Sequence, residues 1–168
     1  MFKLGYAFDV GFNGLSGDLS SVAITGKRTR CRDNRNVNFL VQLGAAASGT
    51  ADVVCTVNQW QASSGGSAQP YVCDHLWIKS ATTLANTESW VNVANAAVDG
   101  TIKVLGATNA TKQVLAVIEV HVPGLLAGYD YVSVDIATVA VARTAFVTAI
   151  PADLNRRRGP ANEAPLLS

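Results

Sequence analysis

The side chains able to do chemistry are few and scattered. His75 and His121 are the two groups whose ordinary pKa lies near neutrality, and neither stands in a recognisable catalytic context. Cys31, Cys55 and Cys73 are odd in number and widely spaced, which is not the arithmetic of a disulfide scaffold. A zinc set of Cys55, Cys73 and His75 can be drawn, but no CxxC or paired histidine spacing supports it, so no metal site is assigned. Gly14-Leu15-Ser16-Gly17 lacks the spacing of a nucleophile elbow. Gly26-Lys27 has neither the upstream glycine nor the hydroxyl of a P-loop, because Arg28 stands where Ser or Thr is needed. Asp130 and Asp135 flank a strand and read as solvated strand ends, not as the carboxylate pair of a glycosidase. The expectation is a protein that is not an enzyme and uses no cofactor.

Cationic side chains are the one clustered chemistry. Gly26–Asn36 (GKRTRCRDNRN) carries Lys27, Arg28, Arg30, Arg32 and Arg35 against one acid, Asp33. No aromatic is interleaved with them, so base stacking is unsupported and no nucleic-acid partner is expected. A partner's carboxylates suit them better, because guanidinium pairs carboxylate through a bidentate fork. Arg156, Arg157 and Arg158 follow the same logic on a proline-containing C-terminal stretch that has no periodic apolar positions. These eight residues are the candidate partner-binding set.

Strands must position these groups. Val114–Val122 places Val, Ala, Ile, Val and Val at its even positions, the period of a strand with one buried face. Leu115 and Val117 make its other face partly apolar too. Val37–Leu43 alternates Val37, Phe39, Val41 and Leu43 against Asn38, Leu40 and Gln42. Asp52–Trp60 and Tyr131–Asp135 repeat the pattern, the latter with Val132, Val134 and the following Ile136 on one side. Ala137–Ile150 reads as one long or bent strand stopped by Pro151. Ser89–Val93 and Thr101–Val104 are short strand candidates around an Asp99-Gly100 turn. Residues 90–98 also fit helical spacing. Short strands between Gly, Ser, Asn and Pro turns predict an all-β fold, a jelly-roll-like β-sandwich with extended N- and C-terminal segments. Residues 1–36 read as an N-terminal segment with the basic loop, 37–150 as the sandwich, and 151–168 as a C-terminal arm.

Composition narrows the setting. The 168 residues suit one domain. Only 15% of them are charged and the net charge is +1, so no global field draws in nucleic acid or an acidic membrane. Valine (21) exceeds leucine (14), a β-leaning balance. A surface this poor in charge suits a protein packed against neighbours. Met1–Val10 lacks the apolar core of a signal peptide, and no stretch is long enough for a membrane helix. Synthesis in cytosol, with no membrane partner, is expected.

Several segments together resemble small structural proteins of tailed bacteriophages that decorate or cement the capsid. They are Phe39–Leu43 before a small-residue turn, Asp52–Trp60 (DVVCTVNQW) in the place of a V…VxQ strand, and Gln113–Val120 (QVLAVIEV). Leu125–Asp135 (LLAGYDYVSVD) is similar to an L-x-x-G-[FY]-x-[YF]-V-x-V element at Leu125, Gly128, Tyr129, Tyr131, Val132 and Val134. The resemblance implies a virion protein on the capsid surface that binds the major capsid protein, stabilises the lattice and assembles as a homotrimer. The arginine-rich segments have no counterpart in it. Two alternatives stand beside it. One is a neck, tail or fibre component. The other is a carbohydrate-binding sandwich using Trp60, Trp77, Trp90 and Tyr71 as a stacking platform, although core and interface packing is the plainer fate for these aromatics.

Overall fold

The computed structural model describes residues 11–32, 34–73, 75–85, 87–95, 99–106 and 109–154. It is all-β, with two antiparallel sheets packed face to face. The strands are β1 (Gly11–Ser16), β2 (Thr29–Arg30), β3 (Asn34–Leu43), β4 (Val53–Trp60), β5 (Gln69–Pro70), β6 (His75–Ala81), β7 (Val91–Ala94), β8 (Thr101–Leu105), β9 (Gln113–His121), β10 (Tyr131–Ile136) and β11 (Ala145–Leu154). The large sheet has six strands in the order β1-β11-β3-β9-β6-β7. The small sheet runs β2-β10-β4-β5, with β8 also paired to β4.

Setting β5–β7 aside, the order is β1-β11-β3-β9 in one layer and β2-β10-β4-β8 in the other. That is jelly-roll topology, in which the chain alternates between layers and changes step once, between β4 and β8. The β5–β7 segment is inserted at that step, and its β6–β7 hairpin widens the large sheet beyond β9.

Alternation dictates the inner faces. Val37, Phe39, Val41 and Leu43 of β3 meet Val53, Cys55 and Val57 of β4 in one core with Val114, Ala116, Ile118 and Val120 of β9 and Val132, Val134 and Ile136 of β10. Each fully buried aliphatic or aromatic side chain contributes roughly 1.5–3 kcal/mol. The exposed Lys103–Asp52 pair, at 2.6 Å, adds at most about 1 kcal/mol. Burial therefore governs the fold. Gln59 points inward on β4 and is satisfied there: its Nε2 donates to Pro70 O at 2.9 Å and its Oε1 accepts from Leu126 N at 2.8 Å.

The structure departs from the sequence expectation in three places. β1 and β2 lie within residues 1–36 and are integral to the sheets, and β11 runs past Ile150. Residues 137–144 are not strand, because their backbone bonds go elsewhere: Val139 N donates to Leu19 O, and Arg143 O accepts from Leu19 N. Pro151 lies inside β11, opposite Val37 and two residues beyond the last described pair with β1. The short strand expected near Ser89–Val93 is present as Val91–Ala94, held by four register pairs to β6, and the alternative helical spacing of this stretch is not used.

One crossover ties the layers together. After a bulge between Phe12 and Gly14, Asn13 turns inward and its Nδ2 donates to Val134 O of β10 at 2.9 Å. Ile24 and Ile136 exchange both backbone bonds at 2.9 Å. Gly26 N then donates to Asp135 Oδ1 at 2.6 Å. A Cβ on Gly26 would fall well inside van der Waals contact of Val134 O and 2.7 Å from Asn13 Nδ2. Gly26→Ala is therefore expected to cost about 1–3 kcal/mol, roughly 2–12 °C in melting temperature at this chain length. Gly17→Ala, where a Cβ meets nothing within 4 Å, is the matched control in the same thermal melt. Equal midpoints for the two variants would refute the close approach.

Candidate functional site

Two surfaces carry the candidate residues, one on each sheet's outer face. On the small sheet, alternation turns Asn58 and Trp60 of β4 and Ser133 and Asp135 of β10 outward. Trp60 Nε1 donates to Ser133 Oγ at 3.0 Å, which lays the indole across the sheet. Arg28 stacks on it, with Cζ 3.6 Å from the ring centroid. The same guanidinium donates through Nη1 to Ala62 O at 2.8 Å and Gly65 O at 2.7 Å. Arg28 thus pins the Ser/Gly-rich loop above Trp60. Charged hydrogen bonds and a cation–π contact are worth about 1–3 kcal/mol each, so an outside partner would have to displace them to recruit this arginine.

Asp135 completes the cluster. Its Oδ1 accepts from Gly26 N and its Oδ2 from Asn58 Nδ2 at 2.7 Å. Burial raises its pKa above the ordinary 3.8, and the bonds from Gly26 and Asn58 and the charge of Arg28 oppose that rise without cancelling it. Asp135 is a structural acceptor in the crossover and not a solvated strand end.

The basic stretch does not form one patch. Lys27 leans away from Arg28, its Nζ lying 5.5 Å from the centroid of Phe12, whose side chain is on the large sheet. Arg30 is half-buried on β2, opposite Tyr131. Arg32 and Arg35 are exposed, in the β2–β3 turn and on β3. Arg156, Arg157 and Arg158 lie outside the described residues, as does the arm beyond Leu154. No sequence motif marks Arg143, a buried arginine bonded through Nη2 to Ala110 O.

The second surface is apolar, and no motif announced it. Outward positions of the large sheet line up in cross-strand rows. One row runs Phe12, Thr148, Leu40, Val117, Trp77, Asn92. The next runs Leu15, Phe146, Gln42, Leu115, Lys79, with Trp90 beside Lys79, whose Nζ is 4.9 Å from the indole centroid. Phe12 and Phe146 pack at 5.5 Å between centroids. Phe12 is 42% exposed, Leu15 60%, Trp77 37% and Trp90 39%, while Leu40, Leu115, Val117 and Phe146 are half-buried. Contiguous apolar surface of this kind marks a contact site on a folded protein. Trp77 and Trp90 are therefore surface residues and not core.

The four aromatics named as a stacking platform do not converge. Trp60 lies under Arg28 on the opposite face of the sandwich, and Tyr71 is buried with its hydroxyl donating to His121 O at 3.0 Å. The three cysteines are buried and free. Burial pushes the Cys31 thiol up to about 12 and that of Cys55 up as well, so both are poor nucleophiles and ligands. Among the described residues no three His, Cys, Asp or Glu side chains gather to hold a metal. No protein-family model matches the chain, and no curated protein or solved structure matches it.

The raised Asp135 pKa has a signed consequence. The folded state binds this proton more tightly than the unfolded chain does. Its contribution is fully present below the ordinary 3.8 and is lost as pH rises through the folded value. Asp135→Asn keeps an acceptor for Gly26 N and removes the titration. In denaturant unfolding across acidic pH, the stability of the parent relative to Asp135→Asn is expected to fall as pH rises from below 3.8. A parallel pair of pH profiles would refute the burial of this carboxyl.

Proposed function

We propose that this chain is a structural protein of a virus particle, a decoration or cement subunit that binds the capsid lattice of a tailed bacteriophage through the major capsid protein. The observation that carries the reading is the outer face of the large sheet, apolar across β1, β11, β3, β9 and β6, on a chain with only 15% charged residues. A sandwich layer normally presents polar side chains to water, and covering this face gains free energy in proportion to its apolar area.

Three further features support it. Jelly rolls build viral capsid domains, although lectins and cupins share the architecture. The segments that resemble phage decoration proteins fall on β3, β4, β9, β10 and the turn before β10, where Gly128 takes φ 84°. Arg30, Arg32 and Arg35 lie on β2, in the β2–β3 turn and on β3 and make no side-chain hydrogen bond or ion pair among the described residues, whereas Arg28 would have to leave its bonds to Ala62 and Gly65 to meet a partner's carboxylate. A cement subunit works by mass action: binding only the mature lattice stabilises that state by RT ln(1 + [L]/Kd).

The test is the copy number of this chain in purified phage particles. A number on the scale of the capsid subunits supports the shell reading. The number of a single ring points instead to a neck or tail part, and absence from particles removes the proposal. Within particles, a chain with Arg30, Arg32 and Arg35 changed to Glu is expected to detach more readily, by about tenfold or more in affinity, ~1.4 kcal/mol. Unchanged attachment would take the basic corner out of the interface.

A further inference from the structure

We propose that the open edge of β8 receives, as an added strand, the segment Met1–Val10 of a second copy of this chain. Strand order creates the opening. β8 lies over β9, so the β6–β7 hairpin projects past the last strand of the small sheet. Among the described residues β8 pairs with β4 alone, and no strand lies along its other edge. Register turns Val91 and Val93 to the same side as Ile78 and Leu76. That side is the inner one, since Leu76 belongs to the core. Yet Val91 is 58% exposed, and Ile78 and Val93 are only partly covered. Between this floor and a wall of Val104 and Leu105 runs a groove of about 320 Å³. An open strand edge above an apolar floor is the receiving half of strand addition: the edge supplies main-chain bonds, and the floor takes alternate side chains.

The segment ahead of β1 has the matching sequence. Met1–Val10 (MFKLGYAFDV) places Phe2, Leu4, Tyr6, Phe8 and Val10 at its even positions, with Lys3, Gly5, Ala7 and Asp9 between them. That is the period of a strand with one large apolar face and one small or polar face. Added beside β8, it would set the apolar face on Ile78, Val91 and Val93 and turn the other to water.

The segment lies outside the described residues, and its own sheet suits it poorly. Continued from Gly11 opposite Ala149, the register of β1 would set Asp9 opposite Pro151. Gly11 is buried beside Ala149 of the core, so Asp9 would face inward as well. Its neighbour there is a buried proline with no N–H to donate, and an unpaired buried carboxylate is costly. Nor does the segment reach the groove of its own chain. β1 and β6 stand four strand spacings apart, roughly 19 Å. With only Phe2–Tyr6 laid along β8, Ala7–Val10 leave about 17 Å of extended chain to Gly11, too short to pass around the core between the layers. A second copy therefore supplies the strand. The contact joins two different surfaces, and such contacts close into a ring, the form a homotrimer takes. It leaves the outer face of the large sheet free.

Sedimentation velocity of the purified full-length chain, from about 1 to about 200 µM, tests this. The parent is expected to self-associate within that range. Val91→Lys in the groove and Leu4→Lys in the segment should each weaken association about tenfold or more, with circular dichroism unchanged. Lys3→Ser, on the other face of the segment, and Leu126→Lys, exposed in the turn before β10, should leave it intact. Mixing separates this contact from any other. Leu4→Lys keeps its groove and Val91→Lys keeps its segment, so the two variants, monomeric apart, should pair one to one when mixed and grow no further. A photo-crosslinking benzoylphenylalanine in place of Tyr6, in a mixture of isotope-labelled and unlabelled chains, should join one copy to another and land on β6, β7 or β8. A parent that stays monomeric, variants that stay monomeric when mixed, or crosslinks confined to β11 of the same copy overturn the proposal.

Discussion

The large sheet is apolar on both faces, and a two-layer sandwich can cover only one of them. Its inner side chains, Val37, Phe39 and Val41 with Ile118 and Val120, are buried against the small sheet. Its outer rows, through Leu40, Val117 and Trp77 and through Phe146 and Leu115, have no second layer among the described residues. Period-two alternation forces the two sets onto opposite sides. No shift of register could hide both, because a one-residue slip would only exchange them. The unspent burial energy is directed outward, and the functional reading follows from that direction.

The opposite face is finished internally. Trp60 is held by Ser133 and roofed by Arg28, Arg28 is tied to the carbonyls of Ala62 and Gly65, and Asp135 is saturated by Gly26 and Asn58. These polar groups answer one another within the chain. The contrast between a closed polar face and an open apolar one gives the molecule a front and a back, as suits a subunit laid onto a larger surface. The crossover through Asn13, Ile24 and Gly26 keeps the two faces in fixed relation, because it bonds the chain leaving β1 directly to β10.

Much of the fold was legible in the sequence, and the reasons differ by element. β3, β4, β9 and β10 announce themselves because their core positions recur every second residue without interruption. β1 was hidden by its bulge at Asn13, which breaks the alternation, and β2 by having only two residues. Residues 137–144 have strand-like composition but are drawn off by Leu19, a partner more than a hundred positions away. The outer apolar face was half visible: Leu40, Leu115 and Val117 stand at the polar positions of their strands, but only the sheet order joins them to Phe12, Phe146 and Trp77. The role of Arg28 was not legible, because its partners lie 34 and 37 residues away and are backbone carbonyls, which no side-chain pattern reveals.

Covering of the large sheet's outer face is the claim on which the account stands, and side-chain oxidation footprinting reads it most directly. Hydroxyl-radical labelling of Phe12, Trp77 and Trp90 would be compared between dilute chain and chain in assembled particles, with the exposed Leu126 as internal reference. The account predicts fast labelling of these three aromatics in the dilute chain and strong protection in the assembly, with Leu126 unchanged. Equal labelling in both states would contradict it.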